Sequence, residues 1–476
     1  MLHRFRWVFC QLETLRHCFP PNLRQFLNEL PESLDETYER ILGGINKAQK
    51  EDARRLLQCL TVAARPLQVE ELAELLAFDF QTADSQGMPT LREDWRWNDQ
   101  EEAVLSTCSS LIAIVRSGDS RVVQFSHFSV KEYLTSPRLA QSHGGVSRFH
   151  VDPNAAHTIL AQACLGTLLQ LCEDPGNNGS KGFPLVEYAA HHWVEHAQFE
   201  NVSSRVRDGM HNLFDNSKPH FAAWLQVHDM DEGWAFSNGR RDTVPSPLCY
   251  AAMCGFHDVA ERLIMKHPEQ VNARGGRSLA PLPAALSRGH FRVANLLYKH
   301  GAIVDVRNDS ERTPLHMASN SGSIDAMRWL ISLGAETGAT SKSSSTALHF
   351  AARAAHLGAV QVLLEHNVDV NSLDELGETP LRDALANAPS SEEPVEIVKR
   401  LLEHGADPNI RDRGRSTPLH QAASEGWLEV TRLLLSYGAK VDEEDEDGRT
   451  PFKEASSREY HELMTLLLEH GAVPPP

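Results

Sequence analysis

The second half of the chain carries one pattern of apolar and polar positions seven times. Each copy opens on a short, mostly apolar segment, and the seven segments read SPLCYA, APLPAA, TPLHMA, TALHFA, TPLRDA, TPLHQA and TPFKEA. Successive segments are spaced by 34, 33, 33, 33, 38 and 33 residues. Threonine followed by proline favours a helix start, because the hydroxyl caps the first turn and proline lacks an N–H that would have no partner there. Each copy therefore predicts a first short helix.

Most copies continue into a second apolar stretch that ends at a glycine. Leu296–Leu297 and Leu434–Leu435 are paired apolar steps of this kind, and Gly301 and Gly438 follow them. Glycine at such a place suits a left-handed helix C-cap. We therefore predict seven helix pairs over residues 241–476. One pair cannot bury its apolar face alone, so the pairs are expected to stack into a solenoid with a concave binding surface.

The T-P-L-H-x-A motif at a period of 33 resembles the ankyrin repeat. His316, His349 and His420 occupy the histidine of the motif, and we expect them to hydrogen-bond between turns rather than to act as ligands or catalysts. The resemblance implies recognition of a protein partner through the first helices and the turn tips, with further polar contacts at Asp309 and Glu378. The expected contact residues are Met317, Asn320, Phe350, Arg353, Gln421, Glu425, Trp427, Arg312, Arg413, Arg415 and Arg449.

Three features of the array have two interpretations each. Trp427 could anchor an interface, because tryptophan is enriched in binding hot spots, or it could pack within its own repeat. The fifth repeat holds five extra residues, assigned to Ala388–Pro394 in the turn between its helices; we favour a tolerated surface insertion over a contact loop. Asp442–Asp447 is a run of six acids, and a solvated acidic turn is favoured over a site for a basic partner.

The first half of the chain shows helical patterns and no repeat. LPESLDETYERIL contains Ser33 and Glu36 at the spacing of a capping box. Two further helices and a hairpin around Ser117–Asp119 follow, which is the order of a winged helix over residues 46–140. Residues 141–240 read as a helical region. The sequence thus predicts a mainly α fold, in which a winged-helix-like domain and a helical region precede the solenoid.

Five segments of this half resemble the region that follows the NTPase core in fungal NACHT–ankyrin proteins, a class of signal-transduction ATPases related to NOD-like receptors. They read LPESLDETYERIL, RPLQVEELAELLA, CSSLIAIV, FSHFSVKEYL and PLVEYAAHHWVEHA. FRWVFCQLETLRHC resembles the end of the NACHT module, so residues 1–45 are expected to be its last helices. The resemblance implies that the repeats sense a ligand and that a separate NTPase core acts as a nucleotide-controlled switch.

The same resemblance assigns a role to His127. In FSHFSVKEYL it occupies the position of a histidine that touches the bound nucleotide in NACHT receptors; the alternative is a histidine packed beside Phe125 and Phe128. A phosphate-binding P-loop needs a Gly-Lys pair, and the sequence contains none. We therefore expect no cofactor and no ATP hydrolysis. The chain would be a sensor or scaffold arm or, alternatively, an incomplete copy of a nucleotide-regulated ATPase.

Charge and cysteine usage narrow the choice of partners. The 46 basic and 64 acidic side chains give a net charge of −18, which disfavours nucleic acid and anionic membranes. No stretch of about 18 apolar residues predicts a membrane span. The eight cysteines contain no C-x-x-C pair, which is typical of buried thiols in a reducing compartment, so an intracellular, cytoplasmic protein is expected.

Two rival chemistries have weak signals. His192, Glu195 and His196 fit the H-x-x-E-H pattern of zinc peptidases, but no third ligand can be named, and we expect no metal site. A winged helix can also bind DNA through a recognition helix. We assign that helix to Val69–Glu74, which is acidic and would repel phosphate. The resulting hypothesis is a non-catalytic protein-interaction module.

Overall fold

The computed structural model describes residues 33–83, 88–142, 145–171, 182–228, 230, 246–273, 280–387 and 392–474. The chain divides into two compact units, Met1–Trp234 and Ala235–Pro476. Both are mainly helical, as predicted. The NACHT-like segment assigned to residues 1–45 lies largely outside the described residues.

The first unit contains the predicted winged helix. Its elements are α1 (Leu34–Gly44), α2 (Lys50–Val62), β1 (Leu67–Gln68), α3 (Val69–Leu76), α4 (Gln100–Cys108), β4 (Ile112–Ser117) and β5 (Ser120–Phe125). β4 and β5 form the predicted hairpin, with Gly118 at a φ of +60° in its turn. β1 pairs antiparallel with β5, which gives the strand order β1-β5-β4. Helix α1 begins at Ser33, whose hydroxyl accepts from the Glu36 N–H.

A second hairpin interrupts the winged helix, and the sequence reading missed it. β2 (Phe78–Ala83) and β3 (Pro89–Leu91) pair antiparallel between α3 and α4. The strand follows an apolar helix without a glycine or proline between them, so periodicity alone does not mark the change. Phe78 is fully buried. Its ring occupies the space that a Cβ at Gly166 would need, 2.9 Å away, which explains a helix-weakening glycine inside α7.

The helical region follows as predicted. After α5 (Phe128–Leu134) and α6 (Pro137–Ala140), which lie in the range assigned to the winged helix, it consists of α7 (Pro153–Gln170), α8 (Val186–Gln198), α9 (Val202–Arg205), α10 (Arg207–Leu213) and α11 (His220–Val227). α7 packs against α2 and α8. The core of this region is aromatic: the rings of Trp193 and Trp224 lie 5.3 Å apart, edge to face. Trp224 also donates from Nε1 to the Ala190 carbonyl at 3.0 Å, so its one polar atom is satisfied inside the core.

The described part of the second unit consists of seven helix pairs, as predicted. They are α12–α13 (Pro247–Met253, His257–Lys266), α14–α15 (Pro281–Ser287, Phe291–Lys299), α16–α17 (Pro314–Asn320, Ile324–Ser332), α18–α19 (Ala347–Arg353, Leu357–Leu364), α20–α21 (Pro380–Ala384, Glu392–Glu403), α22–α23 (Pro418–Glu425, Leu428–Ser436) and α24–α25 (Pro451–Ser457, His461–Glu469). The first helices pack on one another from the first to the fifth pair and from the sixth to the seventh, and the short helix Leu385–Asn387 contacts α22 at the remaining junction.

The insertion in the fifth repeat is shorter than predicted. Residues 388–391 of the assigned Ala388–Pro394 lie outside the described residues. Helix α21 already begins at Glu392, so assigning residues 392–394 to the turn was wrong. Pro394 did not prevent this, because a proline in the first turn of a helix lacks only an N–H that has no partner there.

Candidate functional site

The turn tips of the central repeats form one continuous edge. Each tip is joined to the next by a backbone hydrogen bond of 2.9–3.0 Å. The bonds run from Lys342 N–H to Ser310 O, from Glu375 N–H to Ser343 O, from Arg413 N–H to Leu376 O and from Glu446 N–H to Gly414 O. The tips are thus held in register, and their side chains lie along one edge of the array at a fixed repeat.

The motif histidines hydrogen-bond between the turns of neighbouring repeats, as predicted. His316 accepts from the Thr313 N–H at Nδ1 (3.1 Å) and donates from Nε2 to the Ser345 carbonyl of the next repeat (3.1 Å). His349 and His420 make the same pair of contacts one and three repeats on. Burial lowers the pKa of His316 to about 4 and lowers the pKa values of the other two. At neutral pH each ring is therefore neutral, which leaves Nδ1 able to accept.

The outermost side chains of the edge alternate in charge. The position four residues before the motif threonine holds Asp309, Lys342, Glu375, Arg413 and Glu446 in successive repeats, and all five are exposed. Neighbouring tips therefore present opposite signs in a fixed order. A partner surface with the complementary order would be attracted, and a surface of one sign would not.

The turn needs a residue with a left-handed backbone conformation two positions before the motif threonine. Gly377 and Gly448 supply it with φ values of +76° and +68°, but Glu311, Ser344 and Arg415 adopt φ values of +57° to +61° there. A residue with a Cβ is strained in this region by about 1 kcal/mol or more. Arg415 thus combines an exposed side chain with a strained backbone.

We expect Arg415→Gly to stabilise the array by about 0.5–1 kcal/mol, because the release of left-handed strain exceeds the conformational entropy that glycine adds to the unfolded chain. Urea unfolding of the whole chain measures this. The matched control is Arg413→Gly, two residues away and without a positive φ, which should not stabilise. An equal or larger gain in the control would contradict the strain at position 415.

The centre of the face is a stacked and ion-paired cluster across repeats three to five. The Arg312 guanidinium lies 4.6 Å from the centre of the Phe350 ring. Arg353 binds the Asp383 carboxylate through Nε and Nη2 at 2.8–2.9 Å, and Asp374 lies 3.6 Å away. Phe350 is only 4% exposed. It supports Arg312 from below, and its ring is not available for direct contact.

Asp383 is the buried partner in this cluster, and the sequence reading missed it. The side chain of Asp383 is buried, whereas that of Arg353 is 44% exposed. Burial raises the pKa of Asp383 to about 7, although the positive charge of Arg353 opposes the rise. On the same helix, Arg382 replaces the motif histidine and reaches Asp412 in repeat six at 3.2 Å. The only sequence signal for these two ion pairs was that residues 381–383 read Leu-Arg-Asp, which departs from the L-H-x of the motif.

The remaining predicted contact residues are spread over the array. Met317 is half-buried and Asn320 is exposed on α16. On α22, Gln421 is half-buried and Glu425 is exposed, 3.4 Å from Arg458. Trp427 is half-buried directly before α23. Arg449 pairs with Asp447 and Glu454 at 2.6 and 3.0 Å. Arg413 and Arg415 are exposed and form no ion pair with any residue that the structure describes.

Most of the acidic run Asp442–Asp447 has structural partners. Asp442 accepts from the Val473 N–H at 3.0 Å, and Asp445 accepts from the Arg449 N–H at 2.8 Å. Glu443 pairs with Arg411, and Asp447 pairs with Arg449. Glu444 and Glu446 are exposed and form no ion pair within the described ranges. Only these two carboxylates are left for a basic partner.

His127 has a structural position in the first unit. It precedes α5 as the N-cap, and its Nδ1 accepts from the Ser129 N–H at 3.2 Å. Its ring lies 4.2 Å from that of Phe128. Nucleotide sensing by His127 stays a prediction.

The H-x-x-E-H histidine His196 belongs to a buried chain of hydrogen bonds. The Ala64 N–H donates to Tyr188 Oη (3.1 Å), which leaves the tyrosine hydroxyl to donate to His196 Nε2 (2.8 Å). His196 Nδ1 then donates to His157 Nδ1 at 2.9 Å. Both ring nitrogens of His196 are therefore used, and zinc could bind only by breaking this chain. The described residues contain no group of three metal-ligating side chains.

The assignment of the recognition helix was wrong. The helix that directly precedes the β4–β5 wing is α4, whereas Val69–Glu74 lies in α3, the first helix of the pair. Glu71 and Glu74 on α3 are buried and pair with Arg65 and Arg96, so their charges serve the core. Helix α4 also starts with acids, Glu101 and Glu102, which disfavours contact with phosphate.

No helix among the described residues has the length and apolar character needed to cross a membrane. Five cysteines in the described part of the chain are buried: Cys59, Cys108, Cys164, Cys249 and Cys254. Burial raises the pKa of Cys59 and of Cys108 to about 12, so these thiols are unreactive at neutral pH.

Comparison with known proteins agrees with this architecture. Residues 248–341, 333–412 and 385–475 match the family model of ankyrin repeats, and residues 38–145 match that of the winged helix domain of GPI inositol-deacylase. The chain therefore contains ankyrin repeats and a winged helix domain, as predicted. These two modules occur together in NACHT–ankyrin proteins.

One curated relative and one solved structure are similar over part of the chain. The azaphilone pigments biosynthesis cluster protein L of Monascus ruber is 32% identical over 287 residues, which is 56% of this chain and 59% of the relative. This chain thus matches somewhat more than half of the relative's length. The crystal structure of the ankyrin repeat domain of Bcl-3, a member of the IkappaB family, is 27% identical with a TM-score of 0.42, and the match covers 46% of this chain and 98% of that one.

Proposed function

We propose that this chain is a non-catalytic protein-binding arm of a NACHT-type signalling protein, located inside the cell, and that it binds its partner along the turn tips and first helices of the ankyrin array. The observation that carries the proposal is the ordered edge of exposed charges of alternating sign. Ankyrin repeats point to protein binding, and an edge held in register by backbone hydrogen bonds loses little freedom when a partner binds.

Arg413 and Arg415 are the residues through which the partner is best detected. Both are exposed and lack an ion pair within the described ranges, so their charge is available without first breaking a contact. The neighbouring Leu376 side chain is 51% exposed at the tip of repeat five, and the Arg413 N–H is bonded to its carbonyl. An apolar side chain beside two unpaired arginines is a combination that suits the centre of an interface.

Affinity capture tests this proposal. The whole chain is immobilised and incubated with cell extract of the source organism, and the bound proteins are identified by mass spectrometry. We expect the variant Arg413→Glu/Arg415→Glu to capture at least tenfold less of a specific partner than the unchanged chain captures. The matched control is Arg328→Glu/Arg432→Glu, which places the same charge change on exposed positions of the second helices α17 and α23. The proposal fails if the control loses the partner equally or if the tip variant retains it.

A further inference from the structure

A cavity of about 790 Å³ opens in the winged helix domain. It lies between α2, α4 and the segment that follows the inserted hairpin, and it is remote in sequence from the ankyrin repeats. Its volume falls in the range of about 300–1,000 Å³ that is usual for ligand sites. Trp95, Trp97 and Asp94 from the hairpin segment line one part, and Glu51 and Asp52 from α2 line another.

Two tryptophans at this cavity are exposed to solvent. Trp95 is 44% exposed and Trp97 is 48% exposed, although tryptophan is normally well buried. Arg96 between them points inward, because it pairs with the buried carboxylate of Glu74. Glu74 in turn accepts from the Leu185 N–H at 2.7 Å. The backbone that presents the two rings is therefore anchored to the core of the domain.

The two rings differ in what they already contact. The Arg92 guanidinium lies 5.8 Å from the centre of the Trp95 ring, so this tryptophan already has a cationic neighbour. Trp97 has no cation or ring contact within the described part of the chain. A tryptophan face is the best aromatic surface for a cation. The face of Trp97 is therefore available for a cation from a ligand.

One acid at the cavity is left for a cation. Four acids line it, Glu51, Asp52, Asp79 and Asp94. Three of them pair with arginines: Glu51 with Arg54 at 3.2 Å, Asp52 with Arg55 at 3.8 Å and Asp79 with Arg92 at 3.8 Å. Arg55 also donates to the Phe78 carbonyl at 3.3 Å, and Arg96 pairs with Glu74. Asp94 forms no ion pair with a described residue. Burial raises the pKa of Asp52 despite the nearby Arg55, so a further positive charge would relieve the cost of ionising it.

We propose that this cavity binds an arginine- or lysine-bearing peptide segment of a partner protein, with the cationic side chain against Trp97 and Asp94. The volume is larger than one side chain needs, so neighbouring residues of the segment occupy the remainder. This site lies in the other unit from the ankyrin face and does not depend on the function proposed for that face.

The test uses the whole chain and a fluorescein-labelled peptide of alternating glycine and arginine, six residues long. Fluorescence anisotropy at low salt gives its affinity, and the same peptide with citrulline in place of arginine provides an uncharged isostere. We expect Trp97→Ala and Asp94→Asn each to weaken the arginine peptide about tenfold. Trp97→Phe should retain most of the affinity, because the aromatic face is kept. The citrulline peptide should bind at least tenfold more weakly.

Two controls separate this cavity from other acidic surfaces. Asp119→Asn removes an exposed acid of the same domain at the β4–β5 turn, away from the cavity, and should leave affinity unchanged. Glu444→Gln/Glu446→Gln removes the two exposed acids of the last repeat without an ion pair. The proposal is overturned if this double variant weakens the peptide while Trp97→Ala does not. It is also overturned if free guanidinium binds as tightly as the peptide, or if citrulline and arginine peptides bind alike.

Discussion

Replacing Arg353 with methionine is expected to destabilise the ankyrin array by about 3 kcal/mol at pH 8.5, because the ionised form of the buried Asp383 carboxyl loses the charge and the donors that stabilise it. Asp383 receives two hydrogen-bonding nitrogens from Arg353. Methionine keeps much of the apolar stem of the arginine and removes only the charge and its donors. Urea unfolding of the whole chain, followed by hydrogen exchange of the amides in α18 and α20, measures the loss.

The pH dependence of this loss identifies its cause. The pKa of Asp383 is raised to about 7 in the folded chain, so the carboxyl is protonated at pH 5.5 in both proteins. The Arg353→Met loss should therefore be less than half as large at pH 5.5 as at pH 8.5. Arg328→Met is the control, because Arg328 is well exposed and only 3.9 Å from an equally exposed Glu365. An Arg353→Met loss that is the same at both pH values would rule out an uncompensated charge on Asp383.

Acidification is expected to destabilise the first unit by about 4 kcal/mol between pH 6.5 and pH 3.5 through His196 alone. Burial lowers the pKa of His196 from 6.5 to about 3 and also lowers the pKa of His157. The unfolded chain thus binds protons over this window while the folded chain does not, so the stability present above pH 6.5 is lost as the pH falls. Hydrogen exchange of the α8 amides, corrected for intrinsic rates, follows the change.

A variant at the same position isolates the contribution of this histidine. His196→Gln should be less stable at pH 7, because the link to His157 is disturbed, but its stability should fall less steeply towards pH 4. His191→Gln, on the exposed side of the same helix, should keep the slope of the unchanged protein. Equal slopes in all three proteins would contradict a neutral, buried His196.

The parts of the fold that repeat locally could be predicted from sequence. Thr313 and Pro314 mark a helix start through interactions within four residues, and the same signal recurs in most repeats. The β2–β3 hairpin could not be predicted in this way, since Phe78 extends an apolar run and its strand is fixed by the space at Gly166, 88 positions along the chain. Local patterns identify an element only when its cause is local.

In the candidate site, too, the features with a local cause could be predicted and those that depend on contacts between repeats could not. The exposed positions of Arg413 and Arg415 follow from the turn motif, whereas the burial of Phe350 under Arg312 depends on a contact between repeats. Arg353 and Asp383 are 30 residues apart, and apart from the departure of L-R-D from the motif, nothing in either neighbourhood indicates that they pair. Likewise, the spacing of His192 and His196 suggested a metal, but Tyr188 and His157 decide what the nitrogens of His196 do.

Hydrogen exchange of the whole chain with and without the captured partner tests the central claim most directly. We expect protection by the partner at the turn tips around Lys342, Glu375 and Arg413 and in the first helices α16, α18 and α22. The second helices α17, α19 and α23 should exchange as they do in the free chain. A partner footprint confined to the second helices, or to residues 33–228, would contradict binding at the ankyrin edge.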